Sequence, residues 1–262
     1  MPDRSQNARN VAAALLQAPP LLVDRERKII VLWSPKSACT TTYVWFSKLC
    51  GFLDEALRHP SPHDHRMEVF RSSRRYLDSI AGDISDFRVI RIIRDPYARA
   101  ASIFHEELVG WFADRDAALA GLNFDAGVSF QRFLLMIDRF DMETVDTHYR
   151  PQRHPFESER KPDTVINISK SDLFAKLNAV EKSARWPLTD FASMQCLHEL
   201  EKSRRGPPYP EAAADLFRTP IRRGNPKEQT AFPEYGSLLT PEAKTLIESI
   251  YRDDFTAYRD FL

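Results

Sequence analysis

Lys28-Ile-Ile-Val-Leu-Trp33-Ser-Pro-Lys36-Ser-Ala-Cys39-Thr-Thr-Thr42-Tyr-Val-Trp-Phe46 is the stretch whose reading decides the fold. Ile29 to Trp33 is a continuous apolar run, Ser34 to Thr41 is small or polar apart from Lys36, and apolar residues return at helical spacing from Tyr43. The order is strand, loop, helix. The first backbone N–H groups of a helix have no partner inside it and lie at the positive end of its dipole, so this junction suits an anion. A phosphate there would accept bonds from those amides and from the hydroxyls of Thr40, Thr41 and Thr42, with Lys36 adding a mobile positive charge. The loop contains no glycine. It therefore fails the G-x-x-x-x-G-K-[ST] pattern of the ATP and GTP cradle. A buried strand followed by a polar turn and a capped helix reads the same way from this stretch alone.

The rest of the composition narrows the ligand. A chain of 262 residues is long enough for one large α/β domain, the favoured reading, or for two small ones. Lys plus Arg equals Asp plus Glu at 37 each, so no global basic surface points to nucleic acid, and any anion site is local. Cys39, Cys50 and Cys196 are too few and too scattered for a disulfide framework, and no Cys/His spacing matches a zinc site. Val11 to Leu16 is too short and too alanine-rich for a secretory core, and no run approaches the roughly 20 apolar residues of a membrane span. These features predict a soluble cytoplasmic protein, with peripheral membrane contact left open.

Residues 1–18 read as a frayed tail with a short alanine-rich helix, closed off by Pro19-Pro20. Leu21 to Val23 and Ile29 to Trp33 flank the charged turn 24–27 and predict a hairpin feeding the central strand. One helix is expected from the loop to near Arg58, with Tyr43, Val44, Phe46, Leu49, Phe52 and Leu53 as its apolar side. His59-Pro-Ser-Pro-His63-Asp-His65-Arg66 follows, read as an extended, proline-bound loop leading into the amphipathic segment Met67 to Ile80. Its histidines admit a metal site, a general base or exposed loop residues without a role; an imidazole of pKa near 6.5 needs little tuning to accept a proton at neutral pH.

Phe87 to Ile93 predicts a second buried strand, ending in Arg94-Asp95-Pro96. Asp95 suits an N-cap and Pro96 the first helical position, so a helix is expected from Pro96 to about Gly110. Arg94 then lies at the carboxyl end of a strand, where open α/β sheets bind ligands, with Arg99 and Ser102 on the helix behind it. An arginine in this place forks onto phosphate or pairs with the neighbouring aspartate. Phe130, Phe133, Leu134 and Ile137 keep the i, i+3, i+4, i+7 pattern of a core helix. Asp163 to Ile168 predicts a third strand, 169–172 a cap for a helix to about Lys182, and Thr240-Pro241 the start of a last helix. Residues 201–239 are charged and proline-rich and read as loop, with a short helix at Ala212 to Phe217.

Ser34-Pro35-Lys36-Ser37-Ala38-Cys39-Thr40-Thr41 resembles the 5′-phosphosulfate loop of sulfotransferases, in the Pro-Lys-x-Ala-Cys-Thr form of the carbohydrate enzymes related to the HNK-1 and chondroitin 4-sulfotransferases. Arg91-Ile-Ile-Arg94-Asp95-Pro96-Tyr97-Ala-Arg99-Ala-Ala-Ser102 resembles that family's 3′-phosphate motif, and Thr147-His148-Tyr149-Arg150-Pro151-Gln152 its His-aromatic-x-Pro-Gln segment. Tyr251 to Phe255 with Tyr258 is similar to the family's C-terminal ending. The resemblance implies a P-loop-like three-layer α/β fold with a central parallel sheet flanked by helices, occupying 21–262 behind a flexible tail of 1–20.

The same resemblance implies a transferase that moves the sulfuryl group of 3′-phosphoadenosine 5′-phosphosulfate (PAPS) to a hydroxyl, with a saccharide or glycolipid as acceptor and a bacterial-like soluble character. Lys36 would stabilise the departing phosphate oxygen, Ser37, Ala38, Cys39, Thr40 and Thr41 would hold the 5′-phosphate, and Arg94 and Ser102 the 3′-phosphate. His63 or His65 would take the acceptor's proton. No metal is implied, because basic residues neutralise the leaving group. His148 is expected either to line the acceptor site or to be locked in its loop, and Arg222 or Arg223 either to touch the nucleotide or to face solvent. The rival readings are a P-loop-like small-molecule kinase and a nucleotide-binding sulfotransferase fold without activity.

Overall fold

The computed structural model describes residues 17, 19–109, 121–197, 215–223 and 232–262. In chain order its main elements are β1 (Leu22–Asp24), β2 (Ile29–Leu32), α1 (Cys39–Leu49), α2 (Leu53–Arg58), α3 (Arg74–Ile80), β3 (Arg88–Ile93), α4 (Pro96–Val109), α5 (Phe130–Ile137), β4 (Thr164–Asn167), α6 (Leu173–Ala184), α7 (Pro241–Ile250) and α8 (Arg252–Ala257). Two compact units form along the chain. The first holds the described residues up to Ile93 with Gln152–Leu197 and Phe261; the second holds those of Arg94–Pro151, of His198–Asp260, and Leu262.

The first unit is built on a four-stranded sheet ordered β1-β2-β3-β4. β1 pairs antiparallel with β2, as the hairpin reading expects, and β2, β3 and β4 run parallel. β2 is buried along its whole length, as is β3 after Arg88, which is why both read as unbroken apolar runs instead of alternating ones. Helices flank this mostly parallel sheet, in agreement with the mixed α/β architecture expected from the sequence. Asp24 is buried at the end of β1 and accepts from both Arg27 and Arg75, so the charged turn is tied down instead of merely solvated.

Two local expectations change. The single helix expected as far as Arg58 breaks into α1 and α2, because Gly51 adopts φ +79. Phe52 then folds back, stacking on Phe70 at 5.3 Å. The histidine segment is helical rather than extended: Ser61 caps a turn begun by Pro62, a π-helical turn spans His65–Val69, and a 3-10 turn spans Phe70–Ser72. Proline at a first helical position favours that path instead of opposing it. The alanine-rich N-terminal helix, Gly110 and Ala212–Ala214 lie outside the described residues; Asp215 to Arg218 form a turn.

α1 matters most for the site, since it carries the loop after β2. It is anchored from two sides. Trp45 Nε1 donates to Glu181 Oε1 of α6 at 2.8 Å, and Glu181 also accepts from the Thr189 amide (2.8 Å) and hydroxyl (2.6 Å). On the other side, the Tyr43 hydroxyl meets His65 Nδ1 at 2.7 Å. Burial drives the Tyr43 phenol well above its ordinary pKa, so it remains protonated.

The second unit packs α4, α5 and α7 around Phe104, Phe130, Phe133, Ile137, Tyr149, Ile247 and Tyr251. The helical face read from Phe130 to Ile137 is core, as its spacing requires. Asp95 Oδ1 accepts from the Ala98 amide at 3.0 Å and caps α4; Thr240 caps α7.

Two outcomes are expected. Replacing Glu181 with Leu strands the Trp45 N–H and both Thr189 donors in the core, so denaturant titration should show a loss of about 2–4 kcal/mol. His154, only 2 % exposed, donates from Nε2 to the Pro19 carbonyl and accepts from the Phe156 amide at Nδ1, so it has no place for a second proton. Burial first, then the Arg91 charge, push its pKa down to about 4. The unfolded chain binds a proton below its ordinary pKa near 6.5, so the stability held by neutral His154 is complete above that pH. It is lost as the pH falls toward about 4, by about 3 kcal/mol in total. His154→Asn should flatten that part of the stability–pH curve.

Candidate active site

Ser34 to Ser37 form a β-turn closed by the Ser37 N–H donating to the Ser34 carbonyl at 3.2 Å. Pro35 takes its second position and Lys36, at φ +66, its third, the type II pattern in which glycine usually supplies the positive φ. Ala38 is also left-handed, at φ 57, and as N-cap of α1 it offers no side-chain cap. The first turn of α1 therefore begins without a side-chain cap from its N-cap residue. Lys36, Ala38, Cys39, Thr40 and Thr41 are half-buried, while Ser37 and Thr42 are buried. Thr42 faces inward, so its hydroxyl does not join those of Thr40 and Thr41 at the loop.

The two sequence-named histidines differ sharply. His63 is exposed and its Nδ1 accepts from Arg66 Nη2 at 2.8 Å. A guanidinium only donates, so neutral His63 carries its proton on Nε2. His65 is buried between Tyr43 and Phe52, with Nε2 3.5 Å from Glu55 Oε1. Arg66 itself is 2 % exposed, lies 3.8 Å over the Trp33 ring and donates from Nη1 to the Cys39 carbonyl at 3.3 Å. Burial lowers its pKa, opposed by Cys39 beside it. The arginine thus joins the end of β2, the start of α1 and His63, a role no spacing in the sequence announced beyond its place three residues after His63.

In the second unit, Arg94 is half-buried, 5.3 Å from the Tyr235 ring centroid. Arg99 is buried on α4, donating to the His148 carbonyl at 3.0 Å and lying over the Tyr251 ring at 5.4 Å. Ser102, one turn further on, is buried. His148 Nδ1 lies 2.6 Å from Asp146 Oδ1, which also accepts the His148 amide, so this histidine is locked in its loop. Those bonds hold the Asp146 carboxyl below its usual range, against the burial that raises it. Arg223 donates to the Glu107 carbonyl and lies over Phe124, which builds it into the wall of this unit; Arg222 is exposed.

Gln152, present in the sequence reading only as the end of a motif, proves central to the loop. Its side-chain oxygen accepts from Ser37 Oγ at 2.8 Å, and its main-chain carbonyl accepts from Arg91. Arg91 is fully buried within β3, 3.5 Å from the buried Glu157 carboxylate. Among the described residues no group of three or more His, Cys, Asp or Glu is arranged to hold a metal, and no disulfide forms. No described helix is long and apolar enough to cross a membrane.

No curated protein and no solved structure gives a match to this chain. A family model described as the sulfotransferase family matches residues 19–259, a span that takes in the glycine-free loop after β2, the histidine segment and the Arg94–Ser102 segment. With nearly the whole chain matched, and a mostly parallel sheet carrying that loop, the protein belongs to the sulfotransferase family.

Proposed function

We propose that the protein moves the sulfuryl group of PAPS to a hydroxyl of a saccharide or glycoconjugate. The observation that carries this reading is the loop 34–39: a glycine-free turn with left-handed Lys36 and Ala38, opening onto the uncapped start of α1. Such a start supplies backbone donors and positive dipole to an anion, and Lys36 supplies a full charge. PAPS provides an activated sulfuryl group on a phosphate leaving group, and its transfer is expected to resemble phosphoryl transfer, where positioning and electrostatics dominate.

On this reading the amides of Ala38, Cys39, Thr40 and Thr41 and the two threonine hydroxyls hold the 5′-phosphate, with Ser37 shaping the turn. Lys36 neutralises charge on the departing phosphate oxygen. Arg94 and Ser102, matching the family's second motif, take the 3′-phosphate. Of the two histidines, His63 is the one solvent reaches. It takes the acceptor's proton at Nδ1 once the acceptor hydroxyl displaces the Arg66 N–H from that nitrogen. His65 instead supports α1 through Tyr43.

Purified protein should transfer labelled sulfate from PAPS to members of a saccharide panel without added metal. Lys36→Ala should lower turnover by about a hundredfold or more, as loss of a charge-stabilising donor does. Arg94→Ala should weaken binding of the product nucleotide, 3′-phosphoadenosine 5′-phosphate, by about 1.5–3 kcal/mol, the worth of a charge-assisted phosphate contact. Unchanged turnover in the first variant or unchanged affinity in the second overturns the assignment, and magnesium-dependent ATP turnover by the wild type would favour a kinase. His63→Gln should lower turnover by about a hundredfold and remove the acid limb of the pH–rate profile at an unaltered melting temperature. His65→Gln should lower the melting temperature instead, because it disturbs a buried contact to Tyr43.

A further inference from the structure

The turn that presents Lys36 rests on one side chain, which bonds its last residue directly and its first through the last. Ser34 and Ser37 are its first and last residues, their hydroxyls 3.0 Å apart, and both reach Gln152 Oε1, at 3.4 Å from Ser34 and 2.8 Å from Ser37. Ser37 donates its proton to Gln152, which leaves Ser34 to donate to Ser37. All three side chains are buried at 2 % exposure or less. Gln152 is in turn fixed through its own carbonyl by Arg91, and Arg91 by Glu157, whose carboxylate also accepts the His154 amide at 2.8 Å. A continuous buried chain therefore runs from the middle of β3 to the underside of the loop.

The chemistry of the acceptor atom is informative. Lys36 holds a left-handed backbone that glycine would adopt without strain, so the turn needs an external restraint to remain populated. A carboxylate could accept from the Ser37 hydroxyl as well, but it would place negative charge directly beneath the loop assigned to an anion. An amide oxygen accepts the same bond and carries no charge.

We propose that Gln152 is a positioning residue of the sulfuryl-donor loop: by accepting from Ser37, whose hydroxyl in turn accepts from Ser34, it holds Lys36 and the first amides of α1 in their anion-binding geometry. This rests on the assignment of the loop to the donor's 5′-phosphosulfate end, and its test has one arm that needs no ligand.

Gln152→Leu removes the acceptor of the Ser37 hydroxyl, while the bond from Arg91 goes to the main-chain carbonyl and survives. In the protein without ligand, amide hydrogen exchange over 34–38 should quicken about tenfold, the worth of one lost buried hydrogen bond, while β2 and β3 keep their protection. Binding of 3′-phosphoadenosine 5′-phosphate, read by calorimetry, should weaken by about the same factor. Ser37→Ala breaks the contact from the loop side and should reproduce both effects, and the double variant should be no worse than either single one. Gln152→Glu keeps the acceptor oxygens, so it should restore loop protection while still weakening nucleotide binding through its charge. Unchanged exchange in Gln152→Leu, or additive losses in the double variant, would overturn the proposal, because a role confined to general packing does not act through the serine hydroxyl. Failure of the wild type to bind the nucleotide, with the exchange response intact, would overturn the donor assignment and leave the restraint of the loop by Gln152 established.

Discussion

Lys36 and Ala38 hold left-handed backbone conformations without being glycine, on the loop proposed to receive the donor's phosphate. Each such residue costs about 1–2 kcal/mol relative to an ordinary conformation. The surrounding structure has to offset that cost, and it does so with buried polar contacts: Gln152 beneath the serines of the turn, and Arg66 against the Cys39 carbonyl. Much of the first unit follows from this need. Buried arginine and glutamate would be liabilities in an ordinary core, but Arg91 and Glu157 pair with each other and pass their fixed position to Gln152.

α1 is restrained in the same manner. Its N-terminus is left without a side-chain cap, so its placement depends on contacts along its length, chiefly Trp45 to Glu181 and Tyr43 to His65. Helices away from the loop take the ordinary solution, with Ser129, Asp172 and Thr240 capping α5, α6 and α7 through their side chains. The contrast fits the proposed anion site: a capping side chain over α1 would occupy the amides assigned to the phosphate.

In the segment resembling the family's second motif, several residues are tied into the fold. Arg99 is committed to the His148 carbonyl and the Tyr251 ring, and Asp95 to the start of α4. Arg94 and Ser102 remain the proposed contacts to the 3′-phosphate. The histidine segment divides in the same way, with His65 packed against aromatic rings and His63 at the surface beside Arg66.

Local periodicity and contiguous motifs make the strands, the loop between β2 and α1, the cap of α4, the core face of α5 and the family legible from the residues alone. The sequence misplaced the helix break at Gly51 and the helical path of the histidine segment, where tertiary packing of Phe52 and Phe70 selects among conformations that the local sequence leaves close in energy. Only the tertiary structure separated exposed His63 from buried His65. It alone brought Gln152 under Ser37 across 115 positions of chain and set Arg66 against Cys39 across 27. Hydrogen bonds between residues so far apart leave no periodic trace, since their geometry exists only once the sheet has brought the segments together.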